Sequence, residues 1–104
     1  TGLYNAKNLI GNYDNSMCYL TAEGGVYSLN PSTLSRNLIT SVNSSVIKTN
    51  VELIIVNDST TLYHEMLYMN DDNAPNYIYK YNLSLSMFVD TITVSGIVRD
   101  INFY

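Results

Sequence analysis

Few residues in this 104-residue chain are of types that do chemistry, and their spacing limits what they could do. The single histidine, His64, is followed directly by Glu65. Adjacent side chains in a strand leave opposite faces, so these two cannot share a proton locally, and no acid–base catalysis is expected of them. No serine stands in a nucleophile-elbow context, which leaves no hydrolytic triad to build. Cys18 is the only cysteine, so an internal disulfide is excluded. It lies in the apolar run MCYL and reads as a small buried hydrophobe, with a reactive or intermolecular thiol as the alternative. Asp71, Asp72 and Asn73 carry hard oxygen donors of the kind Ca²⁺ takes. Their spacing is not that of an EF-hand, and Asp and Asn are common turn formers, so a plain hairpin loop is the expectation. No metal, cofactor or enzymatic activity is expected.

Recognition chemistry is better represented. Of ten tyrosines, Tyr77, Tyr79 and Tyr81 fall at i, i+2 and i+4 and so share one strand face. With the preceding loop residues Asp71, Asp72 and Asn73 they form the candidate binding surface; packing as cross-strand pairs is the alternative. Three N-x-S/T sequons occur, at Asn43, Asn57 and Asn82, and are possible glycosylation sites if the protein is secreted by a eukaryote.

Composition narrows the partners. Only 13% of residues are charged, against about 25% in an average globular protein, and net charge is −4. Five basic residues are scattered along the chain, so no patch exists to neutralise phosphates, and neither nucleic acid nor an anionic membrane is expected to bind. The longest apolar run, LIIV at Leu53–Val56, is too short to insert into a bilayer. There is no signal-peptide pattern, and a chain starting at Thr1 is expected to be a processed product or an excised piece.

Elements that could position these residues are strands. Helix signals are nearly absent, whereas short alternating runs bounded by turn residues recur. Strands are predicted at Leu9–Ile10, Met17–Thr21, Val26–Asn30, Asn37–Val42, Val51–Val56, Tyr63–Met69, Tyr77–Tyr81 and Met87–Val94, with a ninth at Val98–Tyr104. Glu23-Gly24-Gly25 marks a tight hairpin, and Asn30-Pro31-Ser32 stops the strand before it.

The chain also repeats itself. VYSLN at Val26–Asn30 matches IYKYN at Ile78–Asn82, CYL at Cys18–Leu20 matches LYM at Leu67–Met69, and SVI at Ser45–Ile47 matches GIV at Gly96–Val98. The period of about fifty residues is in the range of propeller blades, giving two repeats of about 1–50 and 51–104 in one all-β module. Unit one, YLTAEGGVYSLNPSTL, and unit two, YMNDDNAPNYIYKYNLSL, resemble the central hairpin of β-propeller repeats of the NHL, YVTN and quinoprotein-like groups. Asn30 and Asn82 stand where those blades usually carry Asp. The resemblance covers nearly the whole chain and speaks to architecture alone. With no tryptophan present, the docking motif of the quinoprotein enzymes is missing, and with it the reason to expect their redox cofactor.

The expected fold is thus all-β, with antiparallel four-stranded units of propeller type; a β-sandwich is the alternative. The expected function is a non-enzymatic binding or structural module facing a protein or neutral glycan, in an extracellular, cell-surface or virion setting. Two other functions stay open: a fragment of a propeller enzyme whose catalytic residues lie elsewhere, and a virion or tail-fibre structural domain. Since two blades cannot close a ring, the ninth strand is expected to pair with the remainder of a larger propeller or with another copy, three chains being the simplest closure.

Overall fold

A computed structural model of the chain describes residues 6–56 and 60–103. It is all-β, with two four-stranded antiparallel meanders. The first comprises β1 (Asn8–Gly11), β2 (Cys18–Ala22), β3 (Gly25–Leu29) and β4 (Arg36–Thr40). The second comprises β5 (Ile47–Val56), β6 (Thr60–Asn70), β7 (Tyr77–Asn82) and β8 (Met87–Thr93). All eight of these strands coincide with predicted runs, although β5 starts four residues earlier than its apolar core suggested. Polar Lys48 and Asn50 concealed that start: they alternate with Ile47 and Thr49 on a half-buried ribbon.

The glycine pair is explained at the β2–β3 turn. Gly24 and Gly25 both hold positive φ, and a Cβ at Gly25 would strike the Thr40 carbonyl of β4. The next turn is set by an asparagine. Asn30 Oδ1 accepts from the amides of Ser32 (2.9 Å) and Thr33 (3.3 Å), and Leu34 closes the loop at φ 61°. The β7–β8 turn repeats this. Asn82 Oδ1 accepts from Ser84 and Leu85, both at 2.9 Å, and Ser86 closes at φ 56°.

Strand registers repeat as well. Cys18↔Leu29, Tyr19↔Ser28, Leu20↔Tyr27 and Thr21↔Val26 in the first central hairpin correspond to Leu67↔Tyr81, Tyr68↔Lys80, Met69↔Tyr79 and Asn70↔Ile78 in the second. Two of the three sequence matches are thereby superimposed, Val26–Asn30 on Ile78–Asn82 and Cys18–Leu20 on Leu67–Met69; the third is not, since Ile47 opens β5 whereas residues 96–98 lie in no strand. Both outer hairpins carry a bulge, at Val26/Tyr27 and at Lys80/Tyr81.

Tyr19 and Val26 of the first sheet pack on Ile47, Leu67 and Met69 of the second, with Ile39, Val42, Tyr79 and Tyr81 at the margins. The strand correspondence maps Tyr19 and Val26 onto Tyr68 and Ile78, which lie on the far face of the second sheet. It maps Leu67 and Met69 onto Cys18 and Leu20, on the far face of the first. The faces that meet are therefore non-equivalent. Among the described strands, the two sheets' backbones approach where β1 and β2 come up to β5.

The ninth strand is corrected by the structure. Residues 98–103 pair with no described strand and lie across the far face of the second sheet. Ile101 is buried against Met66 and Tyr68, and Phe103 packs on the Tyr68 ring at 4.9 Å. Asp100 explains the missing ladder: its Oδ1 accepts from the Ile101 amide (2.9 Å) and its Oδ2 from Asn102 Nδ2 (2.9 Å), a local alternative to strand pairing.

Candidate functional site

Tyr77, Tyr79 and Tyr81 do share one face of β7, and β8 adds a fourth ring to it. Phe88 meets Tyr79 and Tyr81 edge-on at 6.0 and 5.0 Å, and Tyr77 lies 6.4 Å from Tyr79. Sequence reasoning missed Phe88 because the bulge at Lys80/Tyr81 shifts its register, and a bulge leaves no mark in an alternating pattern. The aromatic face is turned toward the first sheet. Tyr79 and Tyr81 contribute to the core margin, while Tyr77 and Phe88 are 40% and 43% exposed. Between the ladder and Val42 of the β4–β5 linker is an open groove of about 250 Å³, walled by Tyr79, Phe88 and Thr91.

The loop residues predicted beside the tyrosines are brought to the same end of the strand, each with its own task. Asp71 accepts from its own loop at Asn73 N (2.9 Å) and from the Tyr79 hydroxyl (2.8 Å). That hydrogen bond, with burial and the carboxylate charge behind it, holds the phenol above its usual range. Asp72 turns the other way, taking Ser45 Oγ (2.7 Å), Asn70 Nδ2 (3.0 Å) and Lys7 Nζ (3.3 Å). Burial alone would raise its pKa, but these donors outweigh it and hold the carboxyl below the ordinary range. Asn73 is exposed. The two carboxylates thus serve separate partners, and among the described residues no three acidic, histidine or cysteine side chains converge.

Beside this loop is a polar centre with no sequence forecast. Asn70, only 4% exposed, accepts through Oδ1 from Ser44 Oγ (2.7 Å), Ser45 N (2.8 Å) and Val46 N (2.9 Å). One side chain thereby fixes the linker that joins the sheets. On the far face, Glu52 pairs with Lys80 at 2.6 Å and accepts from the Tyr68 hydroxyl, while Lys80 stands 5.8 Å over the Tyr68 ring. Burial first, then Glu52, pushes the Tyr68 hydroxyl up to about 12.

Of the sequons, Asn43 is exposed, and Asn57 lies outside the described residues. Asn82 is 2% exposed, with Oδ1 spent on its turn and Nδ2 3.1 Å from His64 Nδ1. His64 and Glu65 take opposite faces, His64 toward Asn82 and Glu65 toward Asn12. Cys18 is half-buried on the open face of the first sheet. Comparison with protein-family models, with curated proteins and with solved structures finds no match for the chain.

Proposed function

We propose that the chain is a non-enzymatic recognition and packing module of propeller type, consisting of two consecutive blades that serve a protein or neutral-glycan partner. The carrying observation is that non-equivalent faces meet between the sheets. Duplicated sheets facing each other across a two-fold axis bring equivalent faces together; head-to-tail stacking brings unlike faces together and continues until a ring closes. The approach of β1 and β2 to β5 supports the same reading, because blades converge on their inner strands and splay at their outer ones.

Head-to-tail stacking also identifies the faces awaiting a neighbour. The open face of the first sheet carries Leu9 and Leu38, 63% and 55% exposed, with half-buried Tyr27 and buried Leu20 in the same cross-strand row. Its equivalents on the second sheet are the residues that receive the first. At the opposite end, residues 98–103 cover the face built on Met66, Tyr68 and Ile78. Deleting residues 98–104 should therefore uncover a face complementary to the Leu9/Leu38 surface of another copy. Light scattering should show concentration-dependent association of the shortened chain, abolished by Leu38→Asp. A shortened chain that keeps its β-sheet circular dichroism and stays monomeric at the highest concentration reached would overturn the stacking reading.

A further inference from the structure

A second cleft lies away from the tyrosine ladder, where the long β5–β6 ribbon projects past the β1–β2 turn. It has a volume of about 600 Å³, within the range of small-ligand sites, and adjoins a further 350 Å³ that shares Asn12, Tyr13, Val51 and Glu65. Tyr13 from the turn and Tyr63 from β6 line it, 74% and 73% exposed. Two large aromatic side chains left in water beside one cavity form a surface with unspent burial energy.

The polar groups between them are mostly acceptors and hydroxyls. Glu65 holds the turn only at long range: Oε1 accepts from Asn12 Nδ2 at 3.4 Å and Oε2 from Tyr13 N at 3.5 Å. A carboxylate offers about four lone-pair sites, so capacity is left for a ligand. Asn12 is itself fixed, with Oδ1 taken by Met17 N (3.2 Å) and Nδ2 also reaching Ser16 Oγ (3.2 Å), which gives the cleft a rigid floor. Ser16 and Ser84 add hydroxyls at the wall, and neither lysine nor arginine lines it.

We propose that this cleft, walled by Tyr13 and Tyr63 over Glu65 and Asn12, binds a neutral saccharide. Sugar hydroxyls donate to the Glu65 carboxylate, while the apolar C–H face of a pyranose lies against a tyrosine ring. The absence of a cation from the lining disfavours acidic sugars, and the hydroxyl-rich wall favours a polyol over a simple ammonium group. The site takes its ligand class from the glycan branch of the proposed function, but it requires neither blade stacking nor the Tyr77–Tyr81 ladder.

The test is a ¹H–¹⁵N titration of the full chain with glucose, galactose, mannose, N-acetylglucosamine and their disaccharides, with choline and sialic acid as separate arms. Saturable shifts at Asn12, Tyr13, Tyr63 and Glu65 are expected with at least one neutral sugar. Tyr63→Ala should abolish them, and Glu65→Gln should weaken binding by roughly tenfold, the usual worth of a charged hydrogen bond. Tyr77→Ala should leave them unchanged. Saturation by choline or sialic acid alone, shifts confined to Tyr77–Tyr81, or no response to any neutral sugar would each overturn the assignment. The association assay on the shortened chain reads blade stacking separately, so the two readings fail independently.

Discussion

Replacing Asn70 by alanine should be among the most damaging single changes to this chain, although the residue looks like one more polar turn former. Its Oδ1 is the shared acceptor for Ser44 Oγ, Ser45 N and Val46 N at 2.7–2.9 Å. Without it, Ser44 can still donate to the Val46 carbonyl at 3.3 Å, but the Ser45 and Val46 amides lose the acceptor they share. An unpaired donor of this kind costs about 1–3 kcal/mol. Because Ser45 and Val46 are only half-buried, water recovers part of that, and a total loss of about 3 kcal/mol is expected. For a domain of this size that is a fall in Tm of roughly 12–24 °C, readable by far-UV circular dichroism on heating. Asn70→Asp should behave differently with pH. It keeps the acceptor but sets a second carboxylate beside Asp72, where Nδ2 now lies 3.0 Å from Oδ1. At acid pH Asp72 is protonated and the like-charge repulsion is gone, so the variant's deficit relative to the parent should grow as pH rises from acid to neutral.

The control is the register equivalent in the first sheet, Thr21. It is fully buried, and its Oγ1 is the one buried side-chain polar atom without a partner among the described residues. Thr21→Val removes an unpaired hydroxyl at near-constant shape and should stabilise the chain by about 1 kcal/mol. Equivalent positions thus carry opposite signs, because one is spent on a linker and the other is not. An Asn70→Ala variant within about 0.5 kcal/mol of the parent, the size of an ordinary surface change, would refute the reasoning.

Three other outcomes are expected. Val26→Asp, at a fully buried site between the sheets, should cost several kcal/mol by urea titration, whereas Leu38→Asp on the open face of the same sheet should cost under about 0.5. Burial alone would raise Glu52, but hydrogen bonds from Lys80 and Tyr68 hold it low; its contribution is present above the unfolded carboxylate pKa and lost as pH falls below about 4, so Glu52→Gln should flatten the acid limb of the stability–pH curve. Asn30→Ala should cost about 1 kcal/mol by removing an acceptor for two turn amides, while Asn30→Asp, which keeps it, should cost little.

Strand positions were legible in the sequence because alternation and turn chemistry are local. Val26–Asn30 and Ile78–Asn82 could be paired on paper because each central hairpin ends at an asparagine-capped turn, and that turn is written in a few residues. Coverage was not legible. Whether Val98 to Phe103 joins an edge or crosses a face depends on Asp100 capturing its neighbour's amide and on Tyr68 presenting a ring to Phe103, and neither is a periodic signal. The tyrosine face was placed correctly along β7, but the direction it faces is set by the stacking of the sheets. The Tyr13/Tyr63 cleft joins residues fifty positions apart that share no motif.

Unlike faces at the two ends give the module a direction. The first sheet offers Leu9 and Leu38 to solvent, and the second has its opposite face covered by Ile101 and Phe103. Were both ends open, head-to-tail contacts of a heterologous kind could propagate without limit unless their rotation closed a ring. On the head-to-tail reading proposed above, a segment that makes no ladder bonds is the cover that an incoming sheet would displace, because the sheet would bury more apolar surface. At the uncovered end β1 is paired to β2 over four residues, and Lys7 beside it reaches Asp72 of the second sheet's loop, whereas residues 98–103 have no ladder to hold them. Growth by such units would therefore proceed through displacement of residues 98–103, with the Leu9/Leu38 face as the incoming surface.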